Sequence, residues 1–415
     1  MSVDLIPALI DARERRVALN PRDPAFYADP YPTYAAIRRA APMFFWEDYG
    51  FWCFASYADV SGLLRDRRFG RQILHVMSRE ELGWPEPEEH LAPFLALEKH
   101  SLLELEPPEH TRLRALVNRA FVSRNIERLR PRIAALAREY IDRVRGEDAF
   151  DLIERFATPI PVGVIAEFLG APLDMAGQFL AWSHRMVAMY QFGVTREVEE
   201  RAAAASREFD AYLRTLVAAR RKAPREDLIS QLVALEAEGG RLSEDELVTT
   251  AILLLNAGHE ATVHAIGNGV RAVLEHGLDA KAALEPEDGA ELLTEEMLRF
   301  DSPLHMFTRY ALEPVTVGGV ALKRGEKIGL LLGAANRDPA RFENPDAFDA
   351  RRVNNAHVAF GAGIHFCVGA PLARLEMQVA LPMLFDAFPS LSLAAPPKVR
   401  DVYHFHGLEA LHVAP

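Results

Sequence analysis

The chain has 415 residues, 49% hydrophobic and 26% charged, with 25 Gly and 27 Pro, which describes a folded globule with ample core and excludes a disordered or collagen-like chain. Its 47 Lys and Arg stand against 59 Asp and Glu, and a net charge of −12 is a poor platform for neutralising phosphates, which argues against a nucleic-acid role. Only two cysteines occur, Cys53 and Cys367, far from the dense framework of a disulfide-stapled secreted protein, so a reducing compartment is expected.

The first residues, MSVDLIPALIDARERR, carry an acid at position 4 and Pro7 inside their only short apolar run, so they lack the basic-then-apolar order of a signal peptide. No apolar run approaches the roughly 18 residues of a membrane span. A cytoplasmic protein without a membrane anchor follows. Apolar residues recur at three- and four-residue spacing through most of the chain, and Gly/Pro clusters punctuate them, so most of it reads as helix. Strand-like pieces are few: 51–54 (FWCF), and 314–332, where β-branched residues flank Gly-Gly and Arg-Gly pairs suited to small hairpins. No repeat or low-complexity linker appears. Residues 1–415 therefore read as a single, mainly α domain with small β-sheet regions, with 1–24 as an N-terminal extension.

From Glu80 to Glu109 the chain is rich in Glu against the single Lys99, whereas Arg112 to Arg132 holds seven Arg (112, 114, 119, 124, 128, 130, 132) against Glu127. Two solvated faces would account for this. The sharper reading is an Arg-rich stretch that helps dock an acidic partner or an anionic cofactor group.

Residues 244–275 carry the longest helical pattern, with Asn256-Ala-Gly-His-Glu-Ala-Thr262 at its centre. Gly258 in a helix interior costs about 1 kcal/mol relative to Ala. A small residue there is expected to let a flat ligand press against the helix and to make room for dioxygen or water. His259-Glu260 starts like a zinc-protease motif, but the next histidine, His264, lies five positions on, where HExxH needs four. Five helical steps leave the two rings about 140° apart, so this spacing does not make a zinc site.

Phe360-Gly-Ala-Gly-Ile-His-Phe-Cys367-Val-Gly369 places glycines, a histidine and a thiol directly ahead of a helical stretch in which Leu372, Leu375, Val379 and Met383 share a face. Pro371 falls in the first turn, where its missing N–H costs nothing. Cys367 is thus expected at a helix N-terminus, where the dipole and free N–H groups favour a thiolate. Such a thiolate serves as nucleophile, redox centre or metal ligand. Structural zinc needs four ligands and no CxxC pair exists. Cys53, flanked by aromatics, reads as a packed core residue.

The segment FGAGIHFCVG resembles the haem-thiolate signature of the cytochrome P450 family, Phe-Gly-x-Gly-x-His/Arg-x-Cys-x-Gly. The resemblance implies the cytochrome P450 fold, with haem b (iron protoporphyrin IX) between the long central helix and the cysteine-loop helix. It implies that Cys367 is the iron ligand, that Phe360 shields the sulfur, that Gly361 and Gly369 let the backbone pass close to the macrocycle, and that His365 faces a propionate. Thiolate ligation favours O–O cleavage. Other segments fit in order: Glu296-Met-Leu-Arg299 resembles the family's Glu-x-x-Arg pair, to be joined by Arg352, with Arg351 as the fallback and Ala347 where many members carry Arg. Pro107-Pro-Glu-His110-Thr-Arg-Leu-Arg114 resembles a helix at the haem edge that offers His110 and Arg114 to the propionates, and Arg309 matches another propionate ligand. Asn336-Arg-Asp-Pro339 is a further family-like segment. The resemblance runs from about residue 25 to the C-terminus.

In the family an acid followed by Thr supplies protons for oxygen activation. Aligned on Gly258, the acid is Glu260, but Ala261 occupies the Thr position and Thr262 comes one place late, about 100° around the helix. Thr262, a water or a substrate hydroxyl would then complete the relay, or the chemistry would not need it. The implied function is a haem-thiolate monooxygenase that inserts one atom of dioxygen into a small or medium hydrophobic substrate, fed by NAD(P)H through a separate ferredoxin and ferredoxin reductase. The implied substrate pocket draws on the 70–100 loop, Leu255, Ala257, Leu304, His305, Phe307 and Phe405. A peroxide-using or non-oxygenating haem-thiolate enzyme, and a non-catalytic haem-binding sensor, remain the alternatives.

Overall fold

The computed structural model describes residues 6–237 and 242–415. Its axis is the helix Glu244–Glu275, whose bounds coincide with the sequence pattern. Ser243 accepts the Glu246 N–H at 3.2 Å, and the Glu246 carboxylate accepts the Ser243 N–H at 2.9 Å, a reciprocal cap that defines the start. Beyond the cap the helix is buried around most of its circumference, as an all-round apolar sequence demands. It packs on Pro159–Leu169, Arg196–Lys222 and Gly289–Phe300.

The helix Ala370–Ala387 begins directly after Gly369, with Pro371 in its first turn. Leu372, Leu375 and Val379 are buried and Met383 packs at the margin of the same core, against a layer that includes Arg130–Val144.

The main sheet has seven strands in the spatial order Leu9–Asp11, Arg16–Ala18, Met43–Trp46, Phe51–Phe54, Lys327–Leu331, Met306–Ala311, Phe69–Gly70. The strand expected at 51–54 lies inside it, antiparallel to Met43–Trp46 and parallel to Lys327–Leu331. Within 314–332, Val315–Val317 and Val320–Leu322 form a hairpin around Gly318 and Gly319. The N-terminal segment departs from the expectation of an extension. Residues 9–18 form the outer strands, and Val17 and Leu19 are buried, because alternate residues there find the apolar face of the sheet.

The segment that leads into the cysteine loop is braced by ion pairs. Arg299 is fully buried and grips Glu296 at 2.7 and 2.8 Å while donating to the carbonyls of Asn336, Pro345 and Ala347. Arg352, not Arg351, adds a second guanidinium at 3.1 Å from the same carboxylate. Asn336 of the Asn-Arg-Asp-Pro segment accepts the Val358 N–H at 2.8 Å and so ties this brace to the loop itself.

Candidate active site

The cysteine loop is held by its own backbone. The Cys367 N–H donates to the Phe360 carbonyl at 3.0 Å, and the Phe360 ring lies under the Arg374 guanidinium at 4.6 Å. Gly361 and Gly363 sit at φ +68° and +74°, and a Cβ at Gly363 would come 2.3 Å from the Leu64 carbonyl, so this turn requires glycine. The Cys367 residue is exposed, beside Phe366, which is 38% exposed. Surrounding protein raises the thiol's pKa, opposed by the Gly369 N–H, Arg114, the Ala370 N–H and Arg374.

Beside the thiol stands a polar rim. His110 is buried, with its ring 4.4 Å from that of His365, and neither His110 nitrogen has a partner. Burial and the neighbouring His365 lower its pKa to about 4. Arg309 is also buried, its guanidinium bonded to the Thr308 carbonyl, with no carboxylate in ion-pair reach among the described residues. Burial and Arg71 lower its pKa to about 10. Arg114 donates to the Phe366 carbonyl at 2.6 Å and to Asn118 at 2.9 Å. His365 meets the Glu106 carboxylate at 3.1 Å. Glu106 was not distinguished in the sequence, because a single acid inside a Glu-rich run carries no local signal.

The central helix carries a second group of the expected residues. Ala257 is exposed and Ala261 half-exposed on a helix otherwise sunk in the core, which marks the open face. Leu255 is 2% exposed and belongs to the hydrophobic core, so it is turned away from that face. Gly258 is also placed otherwise than expected: a Cβ there would lie 2.7 Å from Ile165 Cγ1, so this glycine admits the Pro159–Leu169 helix and not a flat ligand. Thr262 is buried, about 100° from Ala261. Glu260 is buried too, with Oε1 accepting from Arg400 Nη1 at 3.2 Å and Oε2 unpartnered. The same Arg400 nitrogen reaches His264 Nε2 at 2.6 Å.

Leu304 and Phe405 are half-exposed and joined by a backbone bridge, and Phe307 is half-exposed near Gly361. His305 does not join them. Its ring is fully buried, Nδ1 meets the Tyr34 hydroxyl at 2.8 Å, and it packs on His406 at 4.6 Å, inside a cluster anchored by Asp301. That carboxylate is satisfied by Tyr31 and Arg271, so His305 is packing and not a substrate contact. The Arg-rich stretch is also partly committed: Arg112 pairs with Glu246, Arg130 with Glu127 and Arg132 with Glu167, while Arg119 and Arg128 are exposed. The Arg124 side chain lies outside the described residues.

An exposed cysteine, a buried imidazole with two unpartnered nitrogens and a buried guanidinium without a carboxylate fit a flat ligand with a soft metal centre and an anionic edge. Comparison with known proteins agrees. The profile described as Cytochrome P450 matches residues 291–405. The chain is 36% identical to the polyketide biosynthesis cytochrome P450 PksS of Bacillus subtilis, over 96% of this chain and 99% of that protein. It is 38% identical to the 6-deoxyerythronolide B hydroxylase of Saccharopolyspora erythraea, over 89% and 91%. A solved structure of P450BioI in complex with hexadec-9Z-enoic acid ligated acyl carrier protein superposes with a TM-score of 0.87 at 33% identity, covering 94% of this chain and 99% of that one. The chain belongs to the cytochrome P450 family of haem-thiolate monooxygenases. No described helix is long and apolar enough to cross a membrane.

Proposed function

We propose that this enzyme works as one cytoplasmic domain and inserts one atom of dioxygen into a small or medium hydrophobic substrate. It would use haem b held by Cys367, with electrons from NAD(P)H relayed by a separate ferredoxin and ferredoxin reductase. The exposed Cys367 beside unpartnered His110 and Arg309 carries this reading. When bound, the haem supplies oxygen activation, and thiolate ligation favours O–O cleavage. Arg309, His110, His365 and Arg114 hold the propionates by charge and hydrogen bonds. The N–H groups of Gly369 and Ala370 stabilise negative charge on the sulfur, and Phe360 keeps water from it.

Glu260 acts from the central helix. Arg400 fixes one oxygen, and the unpartnered Oε2 is the atom that takes up and releases a proton. Ala261 adds no hydroxyl, so an ordered water or a substrate hydroxyl completes the relay. Ala257, Leu304, Phe307 and Phe405 give the substrate an apolar surface. A relative named for polyketide biosynthesis, another named as the 6-deoxyerythronolide B hydroxylase, and a neighbour solved with hexadec-9Z-enoic acid ligated acyl carrier protein support a substrate of that apolar class.

Reduced protein under carbon monoxide should show the red-shifted Soret band of thiolate-ligated iron, and Cys367→His should abolish it. A wild-type carbonyl spectrum in Cys367→Ser would refute the ligand assignment. Glu260→Gln should slow NADH-driven product formation and divert electrons to peroxide, while Ala261→Thr should alter coupling with the carbonyl spectrum intact. If both variants match wild type, a peroxide-driven or non-oxygenating mechanism is the better account. Arg119→Glu and Arg128→Glu test partner docking: both should slow reduction, and rates should fall with salt as the Debye length shrinks from about 10 Å at 0.1 M to about 3 Å at 1 M.

A further inference from the structure

The short helix Ala92–Glu98 is anchored in the core by Phe94 and Leu97. The turn Ala188–Tyr190, at the end of the Ala176–Val187 helix, closes onto it. Two side-chain contacts tie Tyr190 there. Its hydroxyl donates to Glu98 Oε2 at 3.0 Å and Oε1 at 3.1 Å, and its ring stands 6.4 Å from that of Phe94. This closure flanks the open face of the central helix, because Met186, four residues before Tyr190, takes the Asn256 amide on its sulfur at 3.6 Å, next to the exposed Ala257.

The Glu98 carboxyl faces Tyr190, Glu104 and Arg71. Arg71 gives both Nε and Nη2 to Glu104 Oε1, at 3.1 and 2.9 Å, so one guanidinium stands near two carboxylates and is bonded to one of them. Burial, and then the Glu104 charge, raise the Glu98 pKa from 4.5 to about 8, against the Tyr190 bond and Arg71. The Arg196–Lys222 and Glu244–Glu275 helices also pack on Ala92–Glu98, but their charged groups at this edge are held elsewhere: Glu199 meets His90 at 2.9 Å and Asp245 meets Arg214 at 2.7 Å. The His90 tie is charged only when that ring is protonated, and it joins the start of the Arg196–Lys222 helix, not the Tyr190 turn.

Moving Tyr190 aside would admit water to a carboxyl that protein otherwise surrounds, and a hydrated Glu98 returns to the ordinary carboxylate range. The closed arrangement therefore binds one proton more than the open one between about pH 4.5 and about 8. Closure is favoured in acid and loses ground as pH rises through that window.

We propose that Tyr190 and Glu98 form a pH-sensitive clasp: the turn Ala188–Tyr190 closes on the Ala92–Glu98 helix while Glu98 carries a proton, and swings out when Glu98 ionises against Glu104, opening a way to the apolar surface beside Ala257. What the clasp gates rests on the monooxygenase reading; the clasp itself does not.

Hydrogen exchange read by mass spectrometry on the haem-loaded enzyme tests it, from pH 5.5 to pH 9, with each rate divided by the unfolded-chain rate at the same pH. In peptides that span 186–195, the opening constant should rise about tenfold per pH unit and level off above about pH 8. Glu98→Gln should make that profile flat. Tyr190→Phe removes the bond that favours the ionised carboxyl, so the rise should continue to higher pH. His90→Gln should retain the rise, and the middle of the central helix should show none. A wild-type rise below about twofold per pH unit, an equal rise in Glu98→Gln, or a flat profile in Tyr190→Phe overturns the proposal. The carbonyl spectrum of the reduced protein separates the two readings. A missing rise with a thiolate-type spectrum refutes the clasp alone, whereas a missing thiolate spectrum with the rise intact refutes the monooxygenase reading and leaves the clasp standing.

Discussion

Replacing Gly258 by Ala decides which neighbour that glycine serves. In an open helix interior the change should stabilise by about 1 kcal/mol. Here the added methyl would meet Ile165 Cγ1 at 2.7 Å and Cδ1 at 3.0 Å, and Ile165 is 1% exposed within the core. Overpacking of this kind costs about 1–3 kcal/mol, so the net expectation is a destabilisation of up to about 2 kcal/mol. Urea denaturation of the haem-loaded protein measures it, and Ile165→Ala supplies the second arm of a double-mutant cycle. Truncating Ile165 alone should cost about 2–5 kcal/mol, and the double variant should be more stable than the sum by about 1–3 kcal/mol. Because Ala257 and Ala261 form the open face, Gly258→Ala should leave the carbonyl spectrum unchanged. Loss of haem binding at unchanged stability, with no coupling to Ile165, would refute the placement of Gly258 against the neighbouring helix.

Other consequences follow from the charged groups. Arg400→Met removes the cation that holds Glu260 but leaves the carboxyl in place, so product formed per NADH should fall several-fold with a matching rise in peroxide, short of the roughly 10²–10⁴-fold that losing an acid–base group outright costs. Arg299→Met leaves the fully buried Glu296 with Arg352 as its remaining guanidinium and frees the carbonyls of Asn336, Pro345 and Ala347, which should cost up to about 3 kcal/mol in denaturant unfolding. Burial works against ionisation of Glu295, but hydrogen bonds from Arg374 and His357 hold its pKa at about 2 against an ordinary 4.5. A depressed carboxylate contributes stability that is present above about pH 4.5 and lost as pH falls through about 2, here about 3 kcal/mol. Glu295→Gln should flatten the stability curve across that window and leave its shape above pH 5 unchanged.

Local rules were sufficient where the physics is local. The Glu244–Glu275 helix was legible at both ends because Ser243 and Glu246 cap each other and an all-round apolar run can only be a core helix. Cys367 was legible because a Gly-rich turn followed by Pro371 and a one-faced apolar pattern specifies a loop running into a helix N-terminus. The Glu296–Arg299 pair was expected from the resemblance, since its three-residue spacing places both side chains on one helix face but does not tell a buried pair from an exposed one.

Periodicity states an angle on a helix and does not name the neighbour at that angle. Whether Gly258 meets a ligand or Ile165, and whether Leu255 or Ala257 looks into the open space, was settled only by how the Pro159–Leu169 helix packs. The same holds for His305, which entered a tyrosine cluster because Tyr34, 271 positions earlier in the chain, folds against it. Arg400 reaches Glu260 across 140 positions of chain. The sequence by itself determined the class of the protein, its cysteine loop and its central helix, since each depends on residues a turn or two apart. Tertiary structure alone decided the partners of Glu260, Gly258 and His305, because burial and charge pairing are properties of neighbours in space, and chain order does not encode them locally.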